Sequence, residues 1–251
     1  MTGLEGVAVV AAGLAAGAIN AIVGSGSLIT FPTLLAVGYP AVLANVSNTI
    51  GLVPGSVAGA VGYRRELVGQ RRRLLTLMPA AVLGGLTGAV LLLELPGSVF
   101  RRVVPVLILV AVVLVLAQPG VAARRAARGS VAERPGTGLQ LGIFATAVYG
   151  GYFGAAQGVI LLALLGLTLD DDLQRLNGVK NVVAAVVNAV AAVYFIARTD
   201  VAWLAVVLLL SGSIAGGLLG AHWGRRIPAG VLRWVIAVVG TAVAVKLLVT
   251  G

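Results

Sequence analysis

Residues 6–63 read GVAVVAAGLAAGAINAIVGSGSLITFPTLLAVGYPAVLANVSNTIGLVPGSVAGAVGY, and none of these 58 residues is Asp, Glu, Lys, Arg or His. A helix that crosses the hydrocarbon core of a bilayer needs about 20 apolar residues. The stretch is therefore long enough for two crossings and a shorter piece. An uncharged segment of this length cannot cover itself in water, so it indicates a protein that crosses a membrane several times.

The composition of the whole chain supports this interpretation. Of its 251 residues, 59% are hydrophobic and 10% are charged, whereas about 25% are charged in an average soluble domain. The absence of cysteine and the presence of a single histidine exclude disulfides, Cys-ligated metals and multi-His sites, so we expect no metal and no cofactor. The net charge of +10 lies in short loops without interleaved aromatic residues. These loops favour contact with membrane lipid and not with nucleic acid.

The apolar residues fall into ten segments, of which 27–38 and 157–169 are too short to cross a membrane. The other eight predict an all-α, polytopic integral membrane protein with about eight transmembrane helices. They lie near 4–23, 41–63, 74–95, 103–118, 139–154, 177–197, 202–222 and 231–249. We expect a transmembrane repeat at 1–118, a cytoplasmic basic linker at 119–138 and a second transmembrane repeat at 139–251.

The two halves are copies of one another at a constant shift of 132 residues. The sequence GGLTGA at 84–89 aligns with GGLLGA at 216–221, Pro96 aligns with Pro228, and Asn45 aligns with Asn177. A glycine pattern and a proline matched at one shift indicate a duplication. The glycines at 212, 216, 220 and 224 form one bare stripe on a helix, where we expect a neighbouring helix to approach closely.

The basic loops predict the topology. If the two short segments re-enter the membrane without crossing it, 12 Lys and Arg residues lie in loops on one side and 3 on the other. If instead 4–38 and 139–169 each cross once, the division is 10 against 5. The positive-inside rule favours re-entry, which gives each half an odd number of crossings and so inverts the repeats. Inverted repeats are typical of transporters that bind substrate near the middle of the membrane.

Glycine-rich breaks interrupt the first helix of each half, at GSGS in 24–27 and at GGYFGAAQG in 150–158. Backbone that leaves a helix at membrane depth has to be buried in protein or line a wet cavity. Ser27 is placed to cap a short helix over 28–37, and the free N–H groups of a helix start form an anion site. The alternative is that each break is only a tight interhelical turn.

The helices that follow the breaks each carry a narrow polar face. Residues 177, 181, 184 and 188 share one face with Lys180 at its edge, and residues 45, 49 and 56 share the matching face with Asn48 at its edge. Polar groups deep in a membrane face the protein interior. A matched pair of faces predicts a shared cavity, although hydrogen bonding between packed helices is the alternative role for any one asparagine.

Lys180 is the charged residue predicted to lie deepest in the membrane. Placing a lysine there costs roughly 3 kcal/mol, so it needs an acidic partner, water or an anionic ligand. Asp170, Asp171 and Asp172 are candidate partners, but their alternative role is to cap the start of the next helix. If Lys180 lies only two turns from the surface, its side chain reaches the interface instead.

The chain carries no enzyme motif that we recognise: it has no HExxH, no G-x-S-x-G elbow, no P-loop and no paired carboxylates at membrane depth. We therefore expect a protein that is not an enzyme.

The sequence GAINAIVGSGSLITFPTL at 17–34, followed by GYP at 38–40 and ANVSN at 44–48, resembles the sulfite exporter TauE/SafE family. The family pattern is a glycine-rich break, a Pro-x-Leu, a Gly-hydrophobic-Pro and an Ala-x-x-Ser/Asn stretch. The second break, GGYFGAAQG, departs from the commoner GxGGG form and lacks the following proline. The resemblance implies a permease of the cytoplasmic membrane that moves small sulfur oxyanions or organosulfonates, usually outward.

Together these observations give the hypothesis of a secondary transporter in the cell membrane. It would bind a small anion between inverted repeats and expose it alternately to each side, with a proton or ion gradient as the candidate driving force. The alternative is a non-transporting membrane assembly protein whose polar faces only pack helices. The predicted substrate-binding residues are Gly24, Ser25, Gly26, Ser27, Asn45, Asn48, Gly154, Gln157, Asn177, Lys180 and Asn181.

Overall fold

The computed structural model describes residues 1–126, 136–223, 234, 237–242 and 244–245. All the regular elements within these residues are helices, and no strand occurs among them. The helices are α1 (Gly3–Ile22), α2 (Ser27–Ala36), α3 (Ala41–Gly62), α4 (Arg71–Glu94), α5 (Gly97–Ala126), α6 (Thr137–Tyr152), α7 (Gln157–Thr168), α8 (Leu173–Arg198) and α9 (Trp203–Trp223). The predicted all-α polytopic fold is confirmed.

Six of these helices are long and apolar enough to cross a membrane, namely α1, α3, α4, α5, α8 and α9. The sequence predicted about eight, and the difference has two sources. Helix α6 has only 16 residues because the chain leaves the helix at the second glycine-rich break. The last predicted segment, 231–249, lies largely outside the described residues. Helix α5 also continues to Ala126, past the predicted repeat boundary at 118.

The outer surface of the helix bundle is apolar. Large hydrophobic side chains are exposed on most of the long helices, for example Val113 on α5 (62%), Val193 on α8 (69%) and Val207 on α9 (57%). A continuous exposed apolar surface of this kind is stable only when lipid covers it. The protein is therefore a multi-pass membrane protein.

Glycines bring the helices of the two halves into backbone contact. A Cβ atom added to Gly216 would lie 2.0 Å from the carbonyl oxygen of Leu14, and one added to Gly88 would lie 2.0 Å from that of Val148. Gly212 and Gly220 pack in the same way on α1, while Gly224 lies outside the described residues. The glycine stripes therefore join α1 to α9 and α4 to α6, as expected for close helix packing in lipid.

The first two helices form a hairpin that returns to the face of the bundle where the chain begins. Helices α1 and α3 run parallel, as their contacts with α9 show. Gly13 of α1 and Gly51 of α3 both pack on Leu209. Four residues further along each helix, Gly17 and Gly55 both pack on Ser213. Helix α2 runs back along α1, with Gly26 against Ala16. We call the face that holds Thr2 and the loops 37–40 and 199–202 the amino-terminal face, and the opposite one, with loops 63–70 and 169–172, the arginine-rich face.

Helices α6 and α7 form a second hairpin, which enters from the arginine-rich face. Gly142 packs on Leu164 and Gly150 packs on Gln157, so the two helices are antiparallel and their tip points towards the amino-terminal face. The two hairpins thus enter the bundle from opposite faces. This arrangement agrees with re-entrant first segments in inverted halves, while the boundaries of the predicted repeats and linker remain predictions.

A cluster of charges holds the start of α8 on the arginine-rich face. Asp171 accepts from Arg73 of α4 at 2.6 Å and from Arg175 of α8 at 2.8 Å. Burial opposes ionisation, but the hydrogen bond from Arg73 and the other nearby donors and charges hold the pKa of Asp171 below its ordinary value. Asp172 caps α8 by accepting from the backbone N–H groups of residues 174 and 175. These contacts set the depth at which the polar face of α8 begins.

Candidate functional site

The tips of the two hairpins meet in the interior of the bundle. The backbone N–H of Gly158 donates to the carbonyl oxygen of Gly24 at 3.0 Å. A Cβ added to Gly24 would lie 2.4 Å from the Cα of Gly158, and one added to Gly158 would lie 2.5 Å from the Cα of Gly24. Gly24 and Gly154 also have positive φ angles of 87° and 75°, which glycine adopts without strain. The breaks are therefore the surfaces through which the hairpins touch.

A cavity of about 20 Å³ lies beside this contact. The volume is sufficient for about one water molecule, so a larger anion fits only after the surrounding helices move. Six predicted site residues line the cavity, namely Gly24, Ser27, Gly154, Gln157, Lys180 and Asn181. The cavity is also lined by five residues absent from the predicted set, namely Asn20, Ser56, Gly158, Ala184 and Asn188.

Lys180 is fully buried, and its ammonium group binds the carboxyl-terminal end of α1. Its Nζ donates to the carbonyl oxygen of Asn20 at 2.9 Å and to that of Ala21 at 3.3 Å. The last carbonyl groups of a helix lack intrahelical partners and carry partial negative charge, so they suit an ammonium group. The alternative in which the Lys180 side chain reaches the membrane interface does not hold, because the break in α1 places these acceptors inside the protein.

Of the two roles considered for the aspartates near Lys180, the structure shows the helix cap and not the pairing with Lys180. In the part of the chain that the structure describes, both salt bridges involve Asp171, and Lys180 takes part in neither. Asp172 takes the alternative role of a helix cap, because it lies at the first residue before α8 and two turns from Lys180.

Asparagines cap the broken helix in each half. Asn177 donates to the carbonyl oxygen of Ala21 at 3.2 Å and to the hydroxyl of Tyr63 at 2.8 Å, and Asn181 donates to the same carbonyl at 3.2 Å. At the second break, Asn45 of α3 donates to the carbonyl oxygen of Tyr152, the last residue of α6, at 3.0 Å. The predicted match of Asn45 with Asn177 thus corresponds to the same contact in both halves.

The position of Lys180 is taken in the first half by Asn48, which has a different role. Its side-chain amide donates to the hydroxyl of Ser27 at 3.2 Å and accepts from the hydroxyl of Thr30. Asn48 therefore binds the start of α2 to α3. The prediction that Ser27 caps α2 is wrong. Ser27 is the first residue of the helix, and Gly26 precedes the helix without a side-chain hydrogen bond to its start.

The remaining predicted residues support the tips of the two hairpins and do not line the cavity. The backbone N–H of Gly26 donates to the side-chain oxygen of Asn20 at 2.6 Å, which ties the break back to α1. The hydroxyl of Ser25 is buried and has no hydrogen-bond partner. Ser25, Gly26, Asn45, Asn48 and Asn177 thus lie around the cavity without facing it, and their role in binding remains a prediction.

The cavity offers hydrogen-bond donors and one positive charge. Gln157 lines the cavity, and its amide nitrogen is buried and has no hydrogen-bond partner. Helices α2 and α7 both begin at the cavity, and their first residues, Ser27 and Gln157, bring polar side chains to it. No carboxylate lines the cavity, and no group of three or more His, Asp or Glu side chains suited to a metal occurs within the described residues. Hydrogen-bond donors and an ammonium group are the chemistry with which proteins bind anions.

The residues that the predicted set omitted carried signals of two kinds. Asn188, Ser56 and Ala184 belong to the two polar faces that the sequence revealed, and the structure shows that the cavity follows these faces further than expected. Asn20 lies within GAINAIVG, where one polar residue interrupts an apolar run immediately before the break. That interruption was the available signal for it.

Comparison with known proteins agrees with this architecture. The chain is similar to a probable membrane transporter protein of Haemophilus influenzae, with 26% identity over 213 residues that cover 83% of this chain and 81% of the relative. It is also similar to the probable membrane transporter protein YfcA of Escherichia coli K12, with 25% identity over 237 residues, or 93% and 86% of the two chains. No solved structure matches it. A family model described as sulfite exporter TauE/SafE matches residues 9–247, and the chain therefore belongs to the sulfite exporter TauE/SafE family.

Proposed function

We propose that this protein is a secondary transporter that exports small anions, such as sulfite or organosulfonates, across the cytoplasmic membrane. The observation that carries the proposal is the meeting of two oppositely directed hairpins, with Gly158 N–H bound to the Gly24 carbonyl, beside a polar cavity. Family membership supplies the substrate class. Broken helices that meet near the middle of a membrane are the sites where many transporters hold their substrates.

The anion binds between the starts of α2 and α7. The free amide N–H of Gln157 donates to it from α7. The hydroxyl of Ser27 accepts from Asn48 and has its own hydrogen left to donate from α2. Lys180 supplies positive charge from α8 while its ammonium remains bound to the end of α1. Donors from both hairpins thus hold one ligand, so that ligand binding and hairpin position are coupled.

Alternating access follows from the opposite directions of the hairpins. Withdrawal of α1–α2 opens the cavity towards the amino-terminal face, and withdrawal of α6–α7 opens it towards the arginine-rich face. The contact between Gly24 and Gly158 closes the path when both hairpins are inserted. The small volume of the cavity agrees with a closed conformation, because a sulfur oxyanion needs more room than one water molecule.

The alternative function, a non-transporting assembly protein, is favoured by one observation. Lys180, Asn177, Asn181 and Asn45 all donate to backbone carbonyl groups at helix ends, which is a structural role in itself. It does not account for Gln157, which lines the cavity and whose buried amide nitrogen has no hydrogen-bond partner. A protein built only for packing gains nothing from a buried donor without a partner, which costs stability.

Sulfite efflux from liposomes tests the proposal. Purified protein reconstituted into sulfite-loaded vesicles is expected to release sulfite faster than protein-free vesicles. Gln157→Met, which keeps an unbranched side chain but removes the amide, is expected to lower the rate. Thr146→Val is the matched control, because its buried hydroxyl bonds only within α6 and does not line the cavity. Release no faster than from empty vesicles would refute transport, and full activity of Gln157→Met would refute the assignment of the site.

A further inference from the structure

The residues that line the cavity carry little formal charge. Among the residues that line it, the only formal charge is the ammonium group of Lys180, and the others are Gly, Ala, Ser, Asn and Gln. No carboxylate of the described residues lies within salt-bridge distance of Lys180. The positive charge of Lys180 is therefore not cancelled by another formal charge.

The helix ends around the cavity add little net charge. The end of α1 lies beside the start of α2, and the end of α6 lies beside the start of α7, since each pair is joined by a break of four residues. A helix start carries about half a positive charge and a helix end about half a negative charge. The two contributions offset each other within each hairpin. The site as a whole thus presents one positive charge, with neutral donors around it.

We propose that the site selects singly charged anions over doubly charged ones. This inference rests on the proposed function and specifies its substrate class. A monoanion is neutralised by Lys180, and its oxygen atoms accept from Gln157 and Ser27. A dianion brings a second charge for which the cavity has no counter-charge, and an unpaired charge in a membrane protein is disfavoured roughly 100-fold. The transported forms are therefore sulfonates with one charge and, for sulfite, the protonated hydrogensulfite ion.

Methanesulfonate and sulfate provide the test, because both present sulfonyl oxygens and they keep one and two charges throughout the neutral range. Each is titrated against purified wild-type protein, with binding followed by the increase in melting temperature, and each is then tested as a competitor of sulfite flux. The inference predicts that methanesulfonate binds and competes at concentrations at least about tenfold below sulfate. Sulfate binding as tightly as methanesulfonate would overturn the inference while leaving anion transport intact. Absence of binding by both, together with absence of flux, would overturn the proposed function itself.

A second positive charge in the cavity is expected to weaken the preference for monoanions. Asn188→Lys places an ammonium on the α8 wall, and Asn188→Gln is the control of similar shape without charge. The ratio of sulfate to methanesulfonate binding is expected to rise about tenfold or more in Asn188→Lys alone. Ser56→Lys adds the charge from the α3 wall if the first variant does not fold. An unchanged ratio in a folded variant of either kind would contradict the inference.

Discussion

Gly158→Ala tests the contact between the hairpin tips. Gly158 is the second residue of α7, so the preference of helix interiors for alanine contributes little at this position. The added Cβ, however, lies 2.5 Å from the Cα of Gly24 and 3.0 Å from its carbonyl oxygen. Both are backbone atoms, which cannot turn aside as a side chain can. Overpacking of this kind costs about 1–3 kcal/mol.

The expected result is a folded protein with impaired transport. If the tips have to meet once in each cycle, a penalty of about 1–3 kcal/mol lowers the population of that state roughly 5- to 150-fold. The assay is sulfite efflux from liposomes, together with a melting curve of the same preparation. Gly138→Ala is the control, because this α6 glycine has no atom within 4 Å of its Cβ position. If both variants match the wild type in efflux and melting temperature, the tip contact has no role in transport.

Three further predictions concern the surroundings of the site. Lys180→Ala is expected to lower sulfite flux about tenfold or more, because the cavity loses its charge; flux near wild type in a folded variant would contradict this. Acidification below pH 3.8 is expected to lower the melting temperature of the wild type more than that of Asp171→Asn. The pKa of Asp171 is depressed in the folded state, so the stability that its carboxylate contributes is lost as that carboxylate is protonated. Melting temperatures that fall in parallel in the two proteins would refute this prediction. Gly88→Leu is expected to reduce the yield of folded protein, because its side chain meets the Val148 carbonyl, whereas Gly138→Leu is not.

Much of the fold follows from the sequence because the determining features are local or repeated. An uncharged run of 58 residues allows only a membrane environment, and the glycines at 84–89 and 216–221 mark the stripes where helices approach. The excess of Arg in alternate loops favoured re-entry, and the contacts within the two hairpins agree with it. The number of helices long enough to cross the membrane does not follow from these features, because the length of α6 depends on where the break falls.

The partners of the polar residues could not be predicted from the sequence. Lys180 binds carbonyl groups some 160 residues away, and those acceptors exist only because α1 ends inside the bundle. A sequence shows a lysine in an apolar run, but it does not show which helix end lies opposite. The contacts of Asn48 could not be predicted for the same reason. Asn48 binds α2, whereas Lys180, its counterpart at a shift of 132 residues, binds α1.

The central claim is that an anion site between the hairpin tips opens to both faces of the membrane. The chain has no cysteine, so Asn188→Cys places a single thiol on the cavity wall. Its labelling by a membrane-impermeant thiol reagent is measured in right-side-out and inside-out vesicles, with and without methanesulfonate, since sulfite itself reacts with such reagents. We expect labelling from both faces and slower labelling when methanesulfonate is present. A thiol that is labelled from one face only, or at a rate that methanesulfonate does not change, would contradict the central claim.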